Sequence, residues 1–231
     1  MDWQEKVEYA LQKTKVLQWP KQKLETFGNS MVHYYMLTEL LDTVDQVRIR
    51  EGRVTAERPK VVTPHYLQQA LLQGFSNDAR GFLDWLSRYA DGLRFLEYGY
   101  RFGKETWSDQ VVSGSIPAIA ERVQQQAEER KDPLVGIVRG VDDLWEISLI
   151  KFITDVTRGS IDKHVADLSD HRLLDLDRGV PRFVRDEIER TFAIAEKDPT
   201  QVRALGTLLE KQGLLDDYQD RFFALIRRWR G

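Results

Sequence analysis

The sequence contains no cysteine. That excludes disulfides, thiolate nucleophiles, iron–sulfur clusters and cysteine-based zinc sites. Long apolar runs are missing as well. The greasiest stretch, Leu144 to Ile153, is interrupted by Glu146, Ser148 and Lys151, so no membrane span is expected. The opening MDWQEKVEYA has no basic region followed by an apolar core, so no secretory leader is expected, and a cytoplasmic location is. Neither sign of charge dominates. Lysine and arginine total 34 against 37 aspartates and glutamates, a net charge of -3, which gives no global pull toward nucleic acid or a membrane.

Catalytic signatures are also absent. There is no phosphate loop of the form GxxxxGK(S/T), no GxGxxG, no GxSxG and no HExxH. Gly136 and Gly140 in GIVRG lack the lysine–hydroxyl pair of a phosphate loop and read as helix-packing glycines. Ser113-Gly114-Ser115 reads as a linker ending in a helix cap. No cofactor is expected on these grounds.

What is present is ordinary for a globular chain: 231 residues, 42% hydrophobic and 31% charged. Apolar residues at helical spacing give an amphipathic helix over 2–17, carrying Trp3, Val7, Ala10 and Leu11. Thr63-Pro64 starts another helix, ended at Gly74, and Asn77 opens a third. Past residue 115 every segment reads as helix. Ile116, Ile119, Val123 and Ala127 form one stripe; Val141, Leu144, Trp145, Leu149, Phe152 and Val156 form the densest. Further helices follow over about 160–170, from Pro181, from Thr200 to Gln212, and to the end of the chain.

A different period appears between residues 30 and 102. Val47 and Ile49 alternate with arginines, and Val54 and Ala56 alternate with polar residues. Glu51-Gly52 between them has the length of a two-residue turn, so a hairpin is expected. Its register would place Val47, Ile49, Val54 and Ala56 on one apolar face, and Arg48, Arg50 and Arg53 on the other. Residues 31–38 form a third strand, and Leu96, Tyr98, Tyr100 and Phe102 alternate as a fourth. The polar segment 103–115 reads as the boundary. The fold expected is therefore α+β and mostly helical. A small antiparallel sheet lies in the N-terminal region (1–110), and an all-α helical bundle fills 114–231.

Three groups of residues could carry chemistry. His164, Asp167 and His171 have the spacing of one helix face, but His164 also falls on the apolar stripe of Ile161, Val165 and Leu168, so no metal site is expected. Carboxylate pairs such as Asp142-Asp143 and Asp216-Asp217 sit at helix starts or on solvated faces, and none is expected to be catalytic. The arginines of the hairpin, Arg48, Arg50 and Arg53, with Arg58 and Lys60 just beyond, are the main signal. Like charges facing one another across strands are unfavourable unless acids, solvent or an anionic ligand offset them. The leading expectation is an interaction or regulatory module without catalytic activity, contacting an acidic protein partner through these residues. Nucleic-acid binding through the same arginines is the alternative, and an enzyme with a site near His164 and Asp167 the third.

Overall fold

A computed structural model describes residues 3–40, 45–63, 66 and 95–230. The chain divides into two compact units: 1–59 with 98–166, and 60–97 with 167–231. Each unit draws on both halves of the sequence. The helices expected from Thr63-Pro64 to Gly74 and from Asn77 lie outside the described residues.

The first unit is built on a five-stranded sheet. Its strands are β1 (Lys15–Gln18), β2 (Ser30–Glu39), β3 (Gln46–Ala56), β6 (Tyr100–Ser113) and β7 (Val135–Val141), in the order β1-β7-β2-β3-β6. β2, β3 and β6 form an antiparallel meander, whereas β7 joins β2 in parallel with His33 beside Val135 and Glu39 beside Val141. Helix α2 (Ile116–Glu129) covers one face. Its Ile116, Ile119, Val123 and Ala127 pack on Tyr35, Leu37, Val47, Ile49 and Ile137. Helix α3 (Trp145–Arg158) covers the other, with Leu149, Phe152, Ile153 and Val156 against Val32, Met36, Val54, Ala56 and Val138. Helix α1 (Trp3–Lys13) precedes β1, and α4 (Ile161–Asp170) follows α3.

The second unit holds the ladder of β4 (Lys60–Val62) with β5 (Phe95–Glu97), and the two-residue ladder of β8 (Leu176–Asp177) with β9 (Val180–Pro181). Its helices are α5 (Arg182–Ala195), α6 (Val202–Gln212) and α7 (Leu215–Arg230). Val184, Ile188, Phe192, Leu205, Leu209 and Leu225 form its core. Gly213 ends α6 in the left-handed region at φ 67°, where a side chain would be strained.

These elements correct the expected fold class. The molecule is not mostly helical with an all-α C-terminal half and a purely antiparallel sheet. β7, β8 and β9 lie past residue 115, and β7 is an interior strand paired in parallel. Leu134 to Val138 is a short apolar run buried on both faces, which periodicity cannot tell from a helix. Gly136 and Gly140 are strand glycines. A Cβ at Gly136 would lie 2.2 Å from the Phe152 ring, so α3 could not seat there over any side chain. Val141 and Leu144 precede α3, and Trp145 at its start is only partly buried, so the densest stripe is narrower than expected. The segment 103–115 is mostly β6, not a linker, and α1 ends at Lys13 before a strand.

The hairpin at Glu51-Gly52 is absent as well. β3 runs straight through these residues, and Gly52 lies opposite Tyr34, whose ring occupies the space a side chain would need. The apolar positions change parity between Ile49 and Val54 because the covering helix changes. α2 buries the odd residues Val47 and Ile49, and α3 buries the even residues Val54 and Ala56. A parity switch that reads as a turn is here a strand covered on opposite faces at its two ends. Among the described residues, no helix is long and apolar enough to cross a membrane.

Candidate functional site

The diagonal covering of β3 leaves two polar corners, one at each end of the strand and on opposite faces. They separate the arginines that the sequence grouped together.

Arg48 and Arg50 occupy the first corner. Arg50 is 6% exposed, contrary to the expected open face. Its Nη1 donates to Asp142 Oδ1 at 2.8 Å and to Thr38 Oγ1 at 3.2 Å. Arg48 Nη1 donates to Asp142 Oδ2 at 3.0 Å. Both guanidiniums also lie 3.5 Å from Asp109 of β6, and Arg50 sits 5.1 Å from the centre of the Trp145 ring. Two arginines on one face are therefore held apart by two aspartates, one taken from the neighbouring strand and one from the end of β7. Asp142 does stand at a helix start, the 3-10 turn Asp142–Leu144, but it is the hub of this network and not a solvated acid. Burial alone would raise its pKa. The hydrogen bonds from Thr38 and Arg50 and the charges of both arginines outweigh that and hold it below the usual carboxylate value.

The second corner lies beyond the end of α2. Lys131, at φ 53°, turns the chain out of the helix, and Asp132 Oδ1 accepts from the Leu134 amide. This brings Arg130 and Asp132 over the open end of the sheet. His33 of β2 is 5% exposed at its side chain. Its Nε2 lies 3.1 Å from Glu51 Oε1 and its Nδ1 3.9 Å from Asp132. The Tyr35 hydroxyl donates to the same Glu51 oxygen at 3.2 Å, and Arg130 pairs with it as well. Desolvation lowers the His33 pKa more than Glu51 raises it, so the ring is neutral at pH 7. Burial, and then the Glu51 charge, push Tyr35 up to about 12.

Above His33 stands Trp107, ring centres 4.7 Å apart and edge-on. The ladder slips between Glu51 and Gly52, where Ser108 pairs with Glu51 and Thr106 with Gly52. Trp107 is the extra residue of that bulge, a device that re-aims a side chain. Arg53 lies 5.6 Å from the Trp107 ring centre, and its Nη1 comes within 3.7 Å of the Met31 sulfur. Met31 is 57% exposed and Trp107 46%. Arg101 sits on the same open face and pairs with Glu57 at 2.5 Å.

The remaining candidates fall elsewhere. The Arg58 amide donates to Asn29 Oδ1 in the first unit, and Lys60 begins β4 in the second. His164 is wholly buried, with Nδ1 3.0 Å from the Tyr98 hydroxyl and Nε2 3.1 Å from the Leu24 carbonyl. His171 Nδ1 lies 2.8 Å from the Asp167 carbonyl. Among the described residues, no three histidine, aspartate or glutamate side chains are grouped to hold a metal ion.

Sequence reasoning missed His33, Glu51, Trp107, Arg130 and the role of Asp142. For His33 a signal existed, a polar residue between Val32 and Tyr34 in an otherwise apolar run; Glu51, between Arg50 and Gly52, carries no such mark. For Trp107 and Arg130 there was none, because a bulge and a helix end place them. No family model matches this chain, and no curated protein or solved structure matches it either.

Proposed function

We propose that the chain is a protein-interaction module that binds an acidic segment carrying an apolar anchor, through the open corner around Arg53, Trp107 and Met31. One observation carries the reading. In two described arginine–carboxylate pairs of this corner the carboxylate lies inside and the guanidinium outside. Glu51 is 14% exposed against 48% for Arg130, and Glu57 20% against 79% for Arg101. In those two pairs the cation is the more exposed partner, so positive charge reaches the outer surface, alongside Asp132, which is 37% exposed. Between the cations stand an indole and a thioether, and tryptophan and arginine are the side chains that dominate interface hot spots. Arg48 and Arg50 do not belong to this surface; they contribute by holding β3 and β6 in register.

Arg53 beside Trp107 would also suit a stacked base, which keeps single-stranded nucleic acid as the second reading. Selection from a displayed peptide library against the whole protein tests the proposal. Enriched peptides are expected to be acidic with one large apolar residue, and Arg53→Glu should abolish the enrichment. Basic consensus peptides, or enrichment that survives Arg53→Glu and Trp107→Ala, would refute it. Tight binding of an oligonucleotide, weakening steeply with salt, would favour the second reading instead.

A further inference from the structure

We infer that the first unit holds a second binding site, for a small phosphate-bearing ligand, in the cavity where the parallel strands β2 and β7 end. This inference does not rest on the interaction surface proposed above, and none of its residues belongs to that corner. The cavity has a volume of about 530 Å³ and is lined by Tyr9, Lys13, Lys15, Glu39, Arg139 and Asp142, among others. That volume lies within the ~300–1,000 Å³ typical of small-molecule sites.

Its position follows from topology. Glu39 and Val141 are the last paired residues of β2 and β7, and Lys15 of β1 lies beside Arg139. The carboxyl ends of neighbouring parallel strands are the usual place for a ligand crevice in α/β sheets. Here the end of α1 and the start of β1 form a further wall and bring in two lysines.

Charge supplies the ligand class. The chain as a whole is acidic, at -3. Among the described residues that line this cavity the balance reverses, since Lys13, Lys15 and Arg139 outnumber Glu39 and Asp142. Asp142, 16% exposed at its side chain, is the more enclosed of the two carboxylates Glu39 and Asp142, and two arginines and a threonine already bind it. Its charge is more than matched from behind and does not repel an anion in front. Arg139 Nη2 donates to both oxygens of Glu39 at 3.1–3.2 Å, a pair whose carboxylate is 56% exposed and easily displaced. Among the described residues neither Lys13 nor Lys15 makes an ion pair. Lys13 Nζ instead lies 5.7 Å from the centre of the Tyr9 ring. Two lysines and an arginine converging on one concave space suit the terminal oxygens of a phosphate or diphosphate. The Tyr9 ring at the rim offers a face for the organic part of the ligand.

The test is calorimetric titration of the whole protein with inorganic pyrophosphate and with a nucleoside diphosphate, set against sulfate and an oligonucleotide. Pyrophosphate and the nucleoside diphosphate are expected to bind, the latter more tightly. The Lys13→Gln/Lys15→Gln variant should weaken both by roughly 10-fold or more, the loss of one or two charge-assisted contacts. Both lysines are exposed, so the variant's thermal midpoint should match the parent's, and Arg53→Glu should leave this binding unchanged. Absence of binding by both phosphate probes at millimolar concentration would overturn the inference. So would affinity unchanged in the lysine variant, or a preference for the oligonucleotide over the nucleoside diphosphate.

Discussion

At its N-terminal end β3 turns Arg48 and Arg50 toward two aspartates and an indole; at its C-terminal end it turns Arg53 toward an exposed tryptophan and methionine. The side-chain chemistry is the same, and the surroundings differ. Near Asp142 the most enclosed member of the network is a cation, Arg50, at 8% side-chain exposure against 16% for Asp142 and 49% for Asp109. Near Glu51 the carboxylates are enclosed and the guanidiniums face out. An arginine with its acid buried beneath it presents charge to a partner, whereas one buried behind its acid spends that charge on the fold. The count of arginines in a segment therefore says little until the covering of each face is known.

The comparison can be broken most sharply at Asp142. Asp142→Ala would strand the buried Arg50 charge. The cost should be about 3 kcal/mol, the low end for removing one partner of a buried pair because Asp109 still faces both arginines. Urea denaturation measures it. A loss below about 0.5 kcal/mol would mean that the N-terminal corner is as open as the C-terminal one.

The contrast also requires α3 to press on the even face of the sheet. Gly136→Ala tests this, since its new Cβ would meet the Phe152 ring. The expected destabilisation is ~1–3 kcal/mol, the range for overpacking a core. If residues 134–141 were helical instead, the same change would stabilise by about 0.5–1 kcal/mol.

A smaller effect concerns pH. Burial depresses the pKa of His33, so between its folded value and about 6.5 the unfolded chain binds more protons than the folded one. The stability that comes from keeping the ring neutral is present above pH 6.5 and is lost as pH falls below it. His33→Gln should flatten the thermal midpoint between pH 7 and 5 relative to the parent. Parallel profiles would place His33 in a solvated setting. Asp142 works in the same sense at lower pH. Its depressed pKa gives stability that is present above the ordinary carboxylate value and lost as pH falls through the folded one.

Much of the helical content was legible. Ile116, Ile119, Val123 and Ala127 are buried along α2 as their spacing requires, and so are Val184, Ile188, Phe192 and Ala195 along α5. Val47, Ile49, Val54 and Ala56 are buried too, as the sequence indicates, but not on one face. The reason is that alternation reports burial without saying which layer does the burying. A sheet packed by helices on both sides hides odd residues at one place and even residues at another. β7 was illegible for the same reason, because an interior parallel strand has no polar face to mark it. Of the site, Arg53 was visible as a residue but its neighbours were not. Trp107 depends on a ladder slip, and Arg130 on where α2 ends.

The most direct measurement sets Arg50→Gln against Arg53→Gln, each read for urea stability and for binding to a library-selected acidic peptide. Arg53→Gln should weaken peptide binding while its stability stays within about 1 kcal/mol of the parent, as for a half-buried charge at the surface. Arg50→Gln should lose stability and keep peptide affinity once folded. The opposite pattern, with Arg50 needed for the peptide and Arg53 for the fold, would contradict the division of labour along β3.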